Sequence, residues 1–193
     1  MCLRKRVLGV SLIEVVILIV VVAIGFMALF VLQSNTVQST VDPVVRKQAL
    51  AIATSLMEEI QLRGFTFCDP DDANVYTATS ATVGGSGCQA TVEGLGLEAG
   101  EAPPPLPALQ SRQKFDNVND YNNLAMTGMR DITGAAISGL EQYSANVAVT
   151  TAAATFGLPE ADGALLITVT VTGPANVAVT LHGYRLRYAP NSP

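Results

Sequence analysis

The chain has 193 residues and a net charge of −5, long enough for one membrane helix and one modest folded domain. An acidic chain is a poor default binder of polyanions, so no nucleic-acid partner is expected. His182 is the single histidine, which excludes a multi-histidine zinc site and argues against a Ser-His-Asp triad. No phosphate-binding loop is present, and the glycines at 94 and 96 continue with the wrong spacing for a dinucleotide fingerprint, so neither an enzyme nor a cofactor is expected.

In chain order, Arg4, Lys5 and Arg6 precede an apolar stretch at residues 7–32, VLGVSLIEVVILIVVVAIGFMALFVL. One acid, Glu14, lies inside it, and residues 15–32 carry no charge. That run suffices to cross a hydrocarbon core of ~30 Å as a helix. Helix is the form left open, because every backbone N–H and C=O in lipid must be paired within the segment. A carboxylate at membrane depth costs about 2.5 kcal/mol or more and marks function by default. The plain alternative is a glutamate at the cytoplasmic edge that snorkels toward the headgroups.

The run Gly9-Val10-Ser11-Leu12-Ile13-Glu14 resembles the type IV prepilin signal: a short basic leader, Gly, an apolar residue, Ser or Thr, Leu, Ile, then Glu at the fifth position after the cut. Val10 stands where Phe or Met is commoner, and Ser11 where Thr is usual. The resemblance implies that a membrane prepilin peptidase cleaves between Gly9 and Val10 and N-methylates Val10, making residues 1–9 a leader peptide. Loss of Arg4, Lys5 and Arg6 with it takes the charge from −5 to −8. It also implies that Glu14 pairs with the terminal ammonium of a neighbouring subunit during assembly. Opposite charges in a low dielectric attract strongly, and each is costly alone. The basic leader keeps its end in the cytoplasm, giving a single-pass inner-membrane protein with a periplasmic C-terminal domain. Of the three cysteines, Cys2 is then lost with the leader. Cys68 and Cys88 are expected to form one disulfide in the oxidising periplasm, two unpaired thiols being the alternative.

A polar patch at residues 33–40 leads to Asp42-Pro43. Asp42 can be an N-cap with Pro43 opening a new helix, or Pro43 can lie inside one long stem helix. Val45, Ala49, Ile52, Leu56 and Ile60 follow an i, i+3/i+4 rhythm, so residues 33–64 read as an amphipathic continuation of the apolar half at 10–32, with Gly64 as C-cap.

Beyond it, residues 65–193 read as a globular domain. Residues 74–83 suggest a strand, and the Gly- and Pro-rich run at 94–109 a surface loop. Asp69, Asp71 and Asp72 form one acidic cluster and Asp116, Asn119 and Asp120 another. Hard oxygen donors at this density are calcium candidates, although no Asp-x-Asp-x-Asp-Gly loop with a closing Glu exists and such clusters are commonly turns. Residues 115–123 (FDNVNDYNN), with the stretch at 53–65 (ATSLMEEIQLRGF), are similar to minor pilins of the mannose-sensitive haemagglutinin (MSHA) pilus, of the MshD-like type.

The last third alternates with period two: Tyr143, Ala145, Val147 and Val149; then Ile167, Val169 and Val171; then Val177, Val179 and Leu181. Past Gly183 the apolar positions change parity to Tyr184, Leu186 and Tyr188, which predicts a β-bulge at His182-Gly183. The expected fold is α+β, pilin-like: a long N-terminal helix, apolar then amphipathic, packed on a C-terminal antiparallel sheet. The expected role is a minor type IV pilin, a structural subunit working with prepilin peptidase, other pilin subunits and the inner-membrane assembly platform, for surface attachment. A minor pseudopilin of a type II secretion system shares the leader and stem, and a single-pass membrane sensor is a rival of another class. Arg185, Arg187, Tyr184 and Tyr188 offer an alternative single-strand-binding reading.

Overall fold

The computed structural model describes residues 11–98, 101 and 111–193, and for residues 28–42 the backbone alone. The leader, Cys2 and the expected processing point at Gly9 and Val10 lie outside the described residues. The chain divides into two units, Met1–Val44 and Val45–Pro193.

In the first unit the backbone enters helix α1 (Leu12–Gln61), with Ser11 just before it. Leu12, Ile13 and the apolar residues from Val15 to Met27 that carry large side chains are all exposed, Leu12 by 85 %. Among the described residues no helix is long and apolar enough to cross a membrane. The uncharged sequence runs on to Leu32, past Met27, the last of its residues whose side chain is described. Pro43 falls inside α1 and not at the first position of a second helix.

The second unit is built on the remainder of α1. Val45, Ala49, Ala53, Leu56, Met57 and Ile60 are buried on one stripe, with Ala49, Ala53 and Ile60 fully so. They join one core with a four-stranded antiparallel sheet in the order β1 (Ala125–Thr127), β2 (Ser144–Thr151), β3 (Ala164–Thr172) and β4 (Ala178–Leu186). Ala145, Val147 and Val149 of β2 and Ile167, Val169 and Val171 of β3 point into this core, as their alternation requires. Ser and Thr side chains occupy the opposite face, where Thr170 bonds Thr180 at 3.1 Å across β3 and β4. Each buried aliphatic side chain contributes about 1.5–3 kcal/mol. A one-turn helix, α2 (Ala153–Phe156), connects β2 to β3 and ends on Gly157 in the left-handed region at φ 64°.

Three expectations are corrected. The predicted bulge is absent: β4 pairs with β3 without interruption from Thr172↔Ala178 to Ala164↔Leu186. The parity change has a different cause. Gly183 keeps the inward position under α1; a Cβ there would meet the ends of two flexible side chains, 2.7 Å from Gln61 Nε2 and 2.9 Å from Met57 Sδ, and one of them would have to shift. Arg185 and Arg187 continue that inward row, leaving Tyr184, Leu186 and Tyr188 exposed on the outside. Residues 74–83 form turns, not a strand: the Thr77 and Ala78 N–H groups both donate to Asn74 O, which buries Val75 and Ala78 at a spacing of three. Gly64 is no left-handed C-cap. Its carbonyl accepts from Val118 N–H at 3.0 Å, and it forms a parallel bridge with Asn117.

Two side-chain ties hold the loops to this frame. Cys68 and Cys88 are bonded, with Cα atoms 5.4 Å apart, inside a small second core with Phe67, Val75 and Ala78. Arg112, 3 % exposed, donates to both oxygens of Glu59 on α1, at 2.7 and 2.9 Å, and Tyr121 OH donates to Glu59 Oε1 at 2.9 Å. Burial opposes ionisation of Glu59, but the Arg112 bonds and charge, with Tyr121 and Arg63, outweigh it and hold the carboxyl below the usual range.

Cys68→Ser is expected to lower the unfolding free energy by roughly 3 kcal/mol under oxidising conditions, measured by urea denaturation. Arg112→Leu strands Glu59 in a partly buried site and is expected to cost about 2–3 kcal/mol in the same assay; an unchanged midpoint would show that the pair is dispensable.

Candidate functional site

Two places carry the sequence-predicted residues. The first is the start of α1. The Glu14 and Val15 N–H groups donate to Ser11 O at 3.0 and 3.2 Å, and Ser11 N–H donates to Glu14 Oε2 at 3.4 Å. Glu14 therefore reaches back over the first turn to the Ser11 N–H, at a helix end where the dipole favours negative charge. Glu14 is exposed.

The second place is acidic. A scaffold of backbone hydrogen bonds brings remote carboxylates together. Asp72 is its clamp: it accepts from the N–H groups of Asn74, Gln89, Ala90 and Thr91, all within 2.9 Å. Burial opposes its charge, but these donors overcome that and hold its pKa far below the ordinary value. The clamp fixes residues 89–91, and Glu93 N–H then donates to Phe67 O. Asp120 Oδ2 accepts from the Asp116 and Asn117 N–H groups at 2.8 Å, closing the 3-10 turn at Asn119–Tyr121. Asn119 O accepts from Gly96 N–H, and Glu98 Oε1 from Gly94 N–H, both at 3.0 Å, which draws the 94–98 loop onto that turn.

The result is two triads. Asp69, Glu101 and Asp116 form one; Glu93, Glu98 and Asp120 form the other, and in each a carboxylate oxygen from every member lies within 4.8 Å of the others. Glu93 is 5 % exposed and Asp120 1 %. Glu93 Oε1, Glu98 Oε2, Asp116 Oδ1, Asp120 Oδ1 and the neighbouring Asn119 Oδ1 are buried and have no hydrogen-bond donor among the described residues. Burial first, and then mutual repulsion, pushes the acids up: Glu93 to about 10, Glu101 to about 8, Asp120 to about 7 and Asp116 to about 6. The charges acting on Glu93 are Asp120, Glu98, Asp116 and Glu101; those acting on Asp116 are Asp69, Asp71, Glu98 and, in the opposite sense, Arg63.

The two acidic clusters seen in the sequence are thus rearranged. Asp69 joins Asp116, and Asp120 stands in the other triad. Asp72 is consumed by its four N–H donors, and Asp71 is exposed outside both triads. Glu93, Glu98 and Glu101 were not anticipated. Their signal was the recurrence of Glu in a Gly-rich loop, read as surface.

The arginines of the single-strand reading are turned inward. Arg187 lies 4.3 Å over Phe65 and 5.0 Å over Phe67 and pairs with Asp162 at 2.9 Å. Arg185 donates to Arg63 O. A cleft of about 420 Å³ beside α1 is lined by Ile52, Leu56, Met126, Met129 and Leu140, and its charged pair, Glu59 with Arg112, is already mutually satisfied. No family model, curated protein or solved structure matches this chain.

The four raised acids hold their protons more tightly folded than unfolded. Their stabilising contribution is complete below the unfolded values of 3.8 and 4.5 and is lost as pH rises through about 6, 7, 8 and 10. Glu59 and Asp72 have lowered values, and their contribution fades only in more acidic solution. In EDTA the melting temperature is therefore expected to fall between about pH 5 and about pH 8; a flat or rising profile would contradict the buried acid centre.

Proposed function

We propose that this chain is a minor type IV pilin of the MSHA type, made as an inner-membrane prepilin and assembled into, or priming, a surface pilus. The observation that carries the reading is the Gly9-to-Glu14 run followed by an apolar segment that opens as helix with Glu14 in its first turn. The exposed apolar side chains of Leu12 to Met27 support it, since a surface of this kind needs lipid or other subunits to cover it. The α+β unit, with an amphipathic helix half on an antiparallel sheet, is compatible with a subunit of this class.

In this reading prepilin peptidase cuts after Gly9 and methylates Val10. The new ammonium lies one residue before Ser11, whose N–H already meets Glu14. Glu14 then exchanges this local bond for the ammonium of a neighbouring subunit, a charge pair stronger in a low dielectric than in water. The segment at 10–32 anchors the subunit and later packs with its neighbours, and the domain displays the exposed surface. The role is assembly, without catalysis.

Mass spectrometry of the membrane-extracted protein is expected to show an N-methylated Val10 terminus; an intact Met1 would remove the prepilin reading. Glu14→Ala is expected to leave membrane insertion unchanged and to reduce recovery in sheared filaments to background. Normal recovery would refute the pairing role.

A further inference from the structure

We propose that the two carboxylate triads, Asp69–Glu101–Asp116 and Glu93–Glu98–Asp120, form a calcium centre. The assignment is independent of the fibre reading and rests on three features of the site.

The first is convergence. In each triad three carboxylates each bring an oxygen within 4.8 Å of the other two, a span that one calcium ion bridges with ligands at about 2.3–2.6 Å on either side. The second is the unpartnered oxygens. Glu93 and Asp120 are more than nine-tenths buried, sit inside a triad and each leave one oxygen without a donor among the described residues, as does the buried Asn119 next to Asp120 in sequence. Buried oxygens without donors are costly, and so are like charges pressed together; a divalent cation relieves both. The third is the division of labour within single side chains. Among the described residues, Glu98 gives Oε1 to Gly94 N–H and leaves Oε2 without a partner, and Asp120 gives Oδ2 to two N–H groups and leaves Oδ1. One oxygen fixes the loop while the other stays available, which is how a carboxylate is held as a ligand and not as a turn residue.

The donor set selects the ion. All donors are oxygens, and neither histidine nor cysteine joins a triad, which disfavours zinc and copper. Three converging carboxylates in each triad suit the variable coordination of calcium. Magnesium demands a near-ideal octahedron and keeps its waters. Binding would also tie Asp69 and Glu101 to Asp116, and Glu93 and Glu98 to Asp120.

The test uses the full chain in detergent micelles, stripped with EDTA and titrated with calcium chloride by calorimetry, with thermal melts in parallel. A saturable binding heat and a rise in melting temperature of roughly 5 °C or more are expected in saturating calcium, with a smaller rise in equal magnesium. Glu93→Gln and Asp116→Asn, one from each triad, are each expected to weaken calcium binding by about tenfold or more, while the exposed control Glu160→Gln stays within about twofold. Asp120→Asn serves as the second variant where either triad variant fails to give a native circular dichroism spectrum. Absence of both heat and thermal shift in the folded wild type would overturn the proposal. So would a calcium response that survives undiminished in the triad variants, or a magnesium response equal to that of calcium.

Discussion

The second half of α1 presents one apolar stripe, and everything in the unit from Val45 onward is arranged to cover it. Ala49 and Ala53 are fully buried in that stripe, where the sheet packs on it. That packing brings a Cβ at Gly183 against the flexible ends of Gln61 and Met57, and at Gly173 a Cβ would lie 2.7 Å from the Tyr143 ring and 3.0 Å from Val45. It also fixes the register of β3, since a slip of one residue would turn Ile167, Val169 and Val171 outward and bring threonines against the helix. Sheet pairing, turn placement and the inward row of β4 all follow from that single contact.

The loops obey a different constraint. Besides core side chains such as Phe65, Phe115 and Tyr121, they are held by the Cys68–Cys88 bond, the Asp72 clamp and the Glu59–Arg112 pair. Asp72 and Asp120 show the same chemistry turned to two ends. Both gather backbone N–H groups, but Asp72 spends both oxygens on them and stays fully ionised, whereas Asp120 spends one and sits among acids that push its proton affinity up. Acids gathered under burial either hold their protons or repel one another, a local frustration in an otherwise consistent fold.

What was readable beforehand follows the range of the interaction. The buried rhythm of Val45 to Ile60 and the alternation in β2 and β3 were legible because each is local and repeats many times. The change of parity after Gly183 was legible as a pattern but not in its cause, since a bulge and a close helix leave the same trace in the letters. The stretch at 74–83 was misread because three of the four donors of Asp72, from Gln89, Ala90 and Thr91, lie far along the chain and override local propensity. The disulfide was anticipated from compartment and count. The acid centre was half visible: Asp69, Asp116 and Asp120 announced themselves by clustering, whereas Glu93, Glu98 and Glu101 reach it only through loop closure by Gly94, Gly96 and Asn119.

β4 ends the strand order, so its outer backbone row faces no further strand of this sheet among the described residues. Such a rim invites strand addition by another chain. The inward arginines change that invitation. A strand arriving beside Arg185 and Arg187 would have to seat its own alternate side chains next to two guanidinium groups already committed to Arg63 O, Asp162 and the rings of Phe65 and Phe67. The same pair that closes the bottom of the core thereby guards the rim of the sheet against unplanned polymerisation through its edge.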